Sequence, residues 1–353
     1  MSTANLEYSV DAEITTFFTK TSATRAQCDS RAAELAGDGT VVPVKVQGVC
    51  SYSVYAGRDQ EYVVQFRLRS LELKMETAVL AREVYGELTP TVSFEGQMGA
   101  DGDGNGKEGL CVYLMSRVRG VTHLDFILAY DGPDNSQEWF GWRRNLMVGV
   151  ARFFALSWNA PQQVSPEDRE KLRGTYVSEL RLLYSALPDR FRPIIQNCID
   201  SIDTILSLPM VLLHRDFGTC NIIVDETSCH LVGVVDWAEA EICPFGLNLH
   251  SLEALTGKLR LRDGWSRYED HATLQDVFWS TFVQQVGGVD EDTVQTIKLA
   301  RITGLLLSAG FTSRLANGPA LVPICDDEIG RYKMLSLDGF LINLETRFKI
   351  DLL

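Results

Sequence analysis

The chain has 353 residues, 45% hydrophobic and 23% charged, with a formal net charge of −14. A core of that size folds without disulfide or metal staples, and the length suits two domains or one two-lobed domain. The acidic balance speaks against a nucleic-acid partner; it is compatible with a cationic substrate and equally with plain solubility.

Residues 22–37, SATRAQCDSRAAELAG, read as a helix with Ser22 as N-cap and Gly37 near the C-cap. Three short β-branched or aromatic runs follow, at 41–48, 50–57 and 61–68, divided by Gly and polar turns, which predicts an antiparallel meander. An apolar face of Leu73, Ala78, Leu80, Ala81 and Val84 predicts a helix over 70–88, and two further strands are expected at 91–96 and 110–118. Between those strands, DGDGNGKEG (101–109) starts like a calcium loop with Asp101, Asp103, Asn105 and Gly106. Its twelfth position is Val112 rather than the bidentate Glu that calcium needs, so a hairpin loop is expected. Beyond Gly120 the pattern turns helical, at 136–158, at 165–187 with Ser165 as N-cap and Pro166 in the first turn, and at about 189–207. Short strands at 210–214, 221–225 and 230–237 interrupt the helices, and residues 246–353 read as mostly helical. The tryptophans Trp139, Trp142, Trp158, Trp265 and Trp279 fall at helical spacings more often core than pocket.

The eight cysteines form no C-x-x-C and no Cys/His set at zinc-ligand spacing, and reduced thiols in the cytoplasm are the simplest account. The first eighteen residues lack a basic flank followed by an apolar core, and no run approaches 18 uninterrupted apolar residues. Neither a signal peptide nor a membrane span is therefore expected.

The stretch HRDFGTCN (214–221) carries the chemistry. Phosphoryl transfer needs a positioned acceptor, held phosphates and charge neutralised by magnesium. Asp216 can accept or orient the acceptor's proton, Asn221 can reach a metal, and Asp236 ends the next strand in VVDWAEA. A tight hairpin over 221–237 would bring Asn221 and Asp236 to one site as the two metal ligands. His214 reads as a scaffold residue that fixes the loop before it reads as a base.

With HRDFGTCN and VVDWAEA (234–240), the chain resembles the aminoglycoside phosphotransferase and choline kinase family, the small-molecule branch of the protein-kinase-like fold, over about residues 40–350. The resemblance implies an α+β, two-lobed fold. Residues 1–39 would be a helical extension, 40–118 a small β-rich N-lobe, and 119–353 a large, mainly helical C-lobe carrying the substrate helices. It implies ATP and Mg2+ as cofactors and a small-molecule substrate, with no nucleic acid or membrane partner; the oligomeric state is not read from it. Asp216 and His214 fall in the catalytic loop, Asn221 and Asp236 at the metal. YLMSRVRG (113–120) resembles the hinge that touches adenine, with backbone groups near Met115, Arg117 and Val118. GVCSYSVYAG (48–57), with Ser51 and Ser53, sits where the family has its phosphate-covering hairpin. Against a protein kinase stand the absence of G-x-G-x-x-G, Gly218 in place of the usual Lys, Asp236-Trp237-Ala238 in place of Asp-Phe-Gly, and no Ala-Pro-Glu.

The sequence also departs from the family. The phosphate-gripping Lys falls on Gln65, with Arg67 on the same strand face and Glu76, or Glu83, as the helix acid. Ala238 stands where relatives often have Glu, which leaves Glu239 and Glu241 to assist a metal or rim the substrate; Asn248 stands where many relatives have a loop-bracing Asp. The expected activity is an ATP-dependent small-molecule kinase. The alternatives are an acid/base enzyme on the same fold, motivated by Gln65, and a nucleotide-binding pseudokinase.

Overall fold

The computed structural model describes residues 8–37, 39–100, 106–130, 132–312 and 321–348. Most of the calcium-like stretch, 101–105, lies outside the described residues. The chain divides into two compact units, one of residues 1–82 and 89–118, the other of 83–88 and 119–353.

The first unit runs α1 (Val10–Phe18), α2 (Arg25–Leu35), β1 (Val42–Pro43), β2 (Ser51–Ala56), β3 (Tyr62–Leu68), most of α3 (Met75–Tyr85), β4 (Val92–Met98) and β5 (Leu110–Ser116). Its five strands lie in the order β1-β2-β3-β5-β4, all neighbours antiparallel. Strand alternation splits the sheet chemically. Tyr52, Val54, Val64, Phe66 and Val112 are fully buried on one face, in a core shared with Ile14 and Phe17 of α1 and Cys28 and Ala32 of α2. The opposite face carries Ser51, Ser53, Gln65, Arg67 and Tyr113. The first helices thus belong to the sheet's own core. Helix α2 is capped at Thr24, not Ser22, because Thr24 and Gln27 form a reciprocal capping box. The expected strand at 41–48 shrinks to two residues because the Gln47 side chain replaces the ladder: its Nε2 donates to Val44 O (3.0 Å) and Ser53 O (2.9 Å), and its Oε1 accepts from Ser53 N–H (2.9 Å).

The second unit runs β6 (Val121–Thr122), α4 (His123–Ala129), α5 (Gln137–Trp158), α6 (Pro166–Ala186), α7 (Arg192–Asp200), α8 (Ile202–Leu206), β7 (Met210–Leu213), β8 (Ile222–Val224), β9 (Leu231–Val234), β10 (Glu241–Pro244), β11 (Gly257–Arg260), β12 (Gly264–Arg267), α9 (His271–Gln285), α10 (Glu291–Ala309) and α11 (Arg331–Leu337). Ser165 caps α6 through its side chain, as the sequence suggested, and Ser136 caps α5 in the same way. The helix expected over 189–207 breaks into a 3-10 turn, α7 and α8, and the region after 246 also holds the β11–β12 hairpin. Helix α5 supplies the buried wall of this unit. Its Phe153 and Phe154 meet Phe217 at ring separations of 5.2 and 5.1 Å, so the residue after Asp216 is sunk into the core. Trp139 and Trp142 are buried, and Trp158, Trp265 and Trp279 pack against Phe245, Phe340 and Phe282, as core residues do.

One close approach sets the backbone just before Asn248. A Cβ added at Gly304 of α10 would lie 1.6 Å from Leu247 O. The backbone beside Asn248 therefore tolerates only glycine. Gly304→Ala is expected to cost about 1–3 kcal/mol by overpacking, read as a lower urea midpoint at unchanged slope.

Candidate active site

Within the second unit, β7 delivers His214, and the loop that follows delivers Asp216 before turning into β8. Asn221 closes that turn: its N–H donates to Gly218 O (2.9 Å), and its Nδ2 donates both to Asp216 O (2.8 Å) and to Asp216 Oδ2 (2.9 Å). With the amide nitrogen committed to Asp216, the Asn221 Oδ1 is the end left to accept or ligate. Strands β8 and β9 pair antiparallel, and Val235 N–H donates to Asn221 O (3.0 Å), which brings Asp236 alongside Asn221. Asp236 itself is left-handed (φ 62°, ψ 67°), a conformation costly for most residues and best tolerated by Gly, Asn and Asp. Asp216 reaches solvent, yet the protein crowding its carboxylate raises its pKa; the Asn221 bond opposes this and the nearby Asp236 charge adds to it. His214 is 1% exposed, and burial lowers its pKa. Its Nε2 sits 2.9 Å from Val235 O, so the proton is on Nε2 and the ring links the Asp216 loop to the Asp236 strand. A side chain so placed braces the loop and has no route to an acceptor. Asn248, at the start of a 3-10 helix, donates to His214 O (3.1 Å) from below.

The first unit shows what became of the phosphate-gripping position. Gln65 Nε2 donates to Ser53 Oγ (3.3 Å), and Tyr113 OH on the neighbouring strand accepts from Leu73 N–H (3.0 Å). Arg67 shares this face, as alternation predicts, but it is 8% exposed and its Nε donates to Leu71 O. Its Nε is committed to the backbone at Leu71. Glu76 is exposed in the first turn of α3, and among the described residues no ion pair joins it to Arg67. Ser51 and Ser53 are buried in β2 rather than set in a free flap. At the end of β5, Met115 pairs with Val63 and Val92. Ser116 N–H donates to Thr91 O (3.1 Å) and Arg117 N–H to Glu61 O (2.8 Å). The Arg117 guanidinium lies 3.9 Å from the Tyr55 ring centre and bonds Gln60. Among the described residues, Val118 N–H has no partner.

The phosphotransferase enzyme family matches residues 51–249, more than half of the chain. The chain belongs to this family. Aminoglycoside 2'-phosphotransferase-IIIa, solved as its GDP complex, is 15% identical over 81% of this chain and 92% of its own, with a TM-score of 0.50. The aminoglycoside phosphotransferase APH(3'')-Id from Streptomyces rimosus, solved with ADP and streptomycin, is 15% identical over 79% and 97%, with a TM-score of 0.45. A choline/ethanolamine kinase family protein from Mesorhizobium loti is 13% identical over 80% and 83%, with a TM-score of 0.46. At these identities the likeness is one of fold, the α+β kinase-like fold that the motifs implied. No curated protein matches the chain significantly. No described helix is long and apolar enough to cross a membrane.

For a member of the phosphotransferase family, two features of the loop escaped sequence reasoning. Arg215 pairs with Glu241 of β10, which withdraws Glu241 from the metal or substrate roles expected of it. Nothing local in the sequence links residues 26 positions apart. Phe217 is the second: an aromatic between an Asp and a Gly reads as loop, and only the fold shows it stacked in the core.

Proposed function

We propose that this chain transfers the terminal phosphoryl group of ATP to a hydroxyl or amine of a small metabolite. The observation that carries the reading is the Asp216–Asn221–Asp236 arrangement, in which Asn221 Nδ2 holds Asp216, its Oδ1 is left to ligate, and the Val235 N–H bond to Asn221 O ties the backbone before Asp236 to Asn221. Two hard oxygen donors of that kind suit magnesium, which keeps several waters and takes one or two protein oxygens. When bound, magnesium neutralises phosphate charge. Asn221 and Asp236 would hold it, and Asp216 takes or orients the acceptor's proton. His214, neutral and tied to Val235 O, keeps Asp216 in place. Adenine falls to the backbone at Met115–Val118, where Val118 N–H is the available donor. The Ser53–Gln65 pair, with no cation, holds phosphate by neutral hydrogen bonds. A small substrate is favoured over a peptide because Asp236-Trp237-Ala238 leads directly into β10, with no activation segment between them.

The test is ADP release by purified protein with magnesium and ATP across a panel of alcohols and amines, with thermal stabilisation by nucleotide alongside. No ADP from any acceptor together with no stabilisation by nucleotide would sink the proposal. The neutral side chain at Gln65 favours one rival, an acid/base reaction on a small molecule that uses Asp216 without phosphoryl transfer. It predicts substrate turnover without ADP.

The pH profile follows from the direction of the Asp216 shift. The base acts ionised, and its pKa lies above the ordinary carboxylate value, so turnover should fall on acidification at a pH higher than an unperturbed Asp would give. An acid limb at or below the ordinary Asp range would remove Asp216 from the role of base.

A further inference from the structure

The hairpin that carries Asn221 and Asp236 is held at its far end. The turn between β8 and β9 exposes three successive carbonyls, and each takes a hydrogen bond from a side chain of α5 or the end of α4. Tyr130 OH donates to Glu226 O (3.1 Å), Trp142 Nε1 to Thr227 O (3.0 Å) and Asn145 Nδ2 to Ser228 O (2.9 Å). Trp142, Asn145 and Gly149 fall at i, i+3 and i+7, one face of the α5 helix. At Gly149 an added Cβ would lie 2.6 Å from Leu231 Cβ, so the helix and β9 are in direct backbone-scale contact. Inside the turn, Asp225 Oδ1 accepts from the N–H groups of Thr227 (3.1 Å) and Ser228 (2.9 Å), which makes the tip a rigid unit.

We propose that Asn145 and Trp142, with Tyr130, are positioning residues for the metal-ligand pair. This inference rests on the reading of Asn221 and Asp236 given above. The sheet that carries the pair is small, with two residues in β6, three in β8 and four in β9, and β9 is its edge on the Asp236 side, so it has few ladder bonds to fix the angle of the β8–β9 turn. Strand pairing carries the set of the tip to the open end, where Val235 N–H meets Asn221 O. Releasing the tip lets Asn221 Oδ1 and the Asp236 carboxylate drift apart, and a metal that demands near-ideal geometry then binds less well.

The test uses the full chain with ADP as the nucleotide and Mn2+ as the spectroscopic stand-in for magnesium. Asn145→Asp keeps the shape and turns a donor toward Ser228 O into an acceptor; Asn145→Gln keeps the amide donor; Tyr130→Phe removes one hydroxyl and leaves the ring. ADP affinity is measured by calorimetry with and without Mn2+, and the metal-dependent gain is compared. The gain is expected to fall about tenfold in Asn145→Asp, less in Tyr130→Phe, and to recover at least partly in Asn145→Gln, while metal-free ADP affinity holds. In the metal-free protein, amide hydrogen exchange over residues 222–236 should quicken in the same order. A metal-dependent gain and exchange rates equal to wild type in Asn145→Asp and Tyr130→Phe overturn the positioning role and leave the proposed function standing. No metal-dependent gain in the wild-type chain overturns the function reading, and this inference with it. If Asn145→Asp does not fold, Tyr130→Phe decides by the same two readouts.

Discussion

Asp216→Asn is expected to lower turnover by about 10²–10⁴, the range that a positioned acid/base group contributes, while leaving ADP binding within a few-fold of wild type. The replacement keeps the shape and an acceptor oxygen for the Asn221 Nδ2 bond now seen at 2.9 Å. The loop is also anchored elsewhere, by Phe217 in the aromatic core and by Asn248 on His214 O. Loss of activity would therefore report chemistry rather than collapse. Stability should move the other way. The folded Asp216 has a pKa above its ordinary value because the protein crowding its carboxylate disfavours the charge, even though the residue reaches solvent. Between the unfolded and folded pKa the native state binds the extra proton, so stability declines as pH rises through that window and stays lower above it. An uncharged Asn removes that cost. At neutral pH the variant should melt no lower than wild type and its denaturant midpoint should rise. Retained turnover at the wild-type rate would exclude Asp216 as base, and a clearly lower midpoint would contradict the burial argument.

The loop was the most legible part of the chain because its chemistry is local. His214, Asp216 and Asn221 stand within eight residues, and a short strand pair suffices to bring Asp236 to them. The start of α6 was legible for a similar reason, since Ser165 acts within one turn. Other features did not show, for different reasons. Thr24 displaces Ser22 as cap only because Gln27 completes the box. The strand at 41–48 gives way to a side chain, Gln47, that reproduces a ladder bond across the sheet. The hairpin at 257–267 hides in a region of helical composition because its strands are only four residues each. Arg67 illustrates the limit most clearly. Alternation placed it on the right face, but the direction of a long side chain depends on which acceptor it finds, and the Leu71 carbonyl was the nearer claim.

Gln65→Lys is the second large effect expected, and it runs toward gain. In the present chain the side chain at position 65 is neutral: Gln65 donates to Ser53 Oγ, and the Arg67 cation two residues on is bound to Leu71 O. A lysine there would add a charge-assisted bond where a neutral one now stands, worth roughly 1.5–3 kcal/mol. That converts to roughly tenfold to a few hundredfold in nucleotide affinity or turnover. Lysine is the right cation for the site, since a flexible stem and a point charge can follow a phosphate that a rigid guanidinium would have to match. The gain should shrink as salt is raised from low to physiological concentration, because a new charge pair is screened where a neutral hydrogen bond is not. Gln65→Ala supplies the opposite arm. If Gln65 touches phosphate, its removal weakens ATP binding; if it serves only Ser53, the change is confined to stability. The decisive outcome is Gln65→Lys with wild-type melting and no change in ADP affinity, turnover or salt dependence. That result would mean that phosphate does not sit against this face, and it would shift the weight to the acid/base reaction in which Asp216 works without ATP.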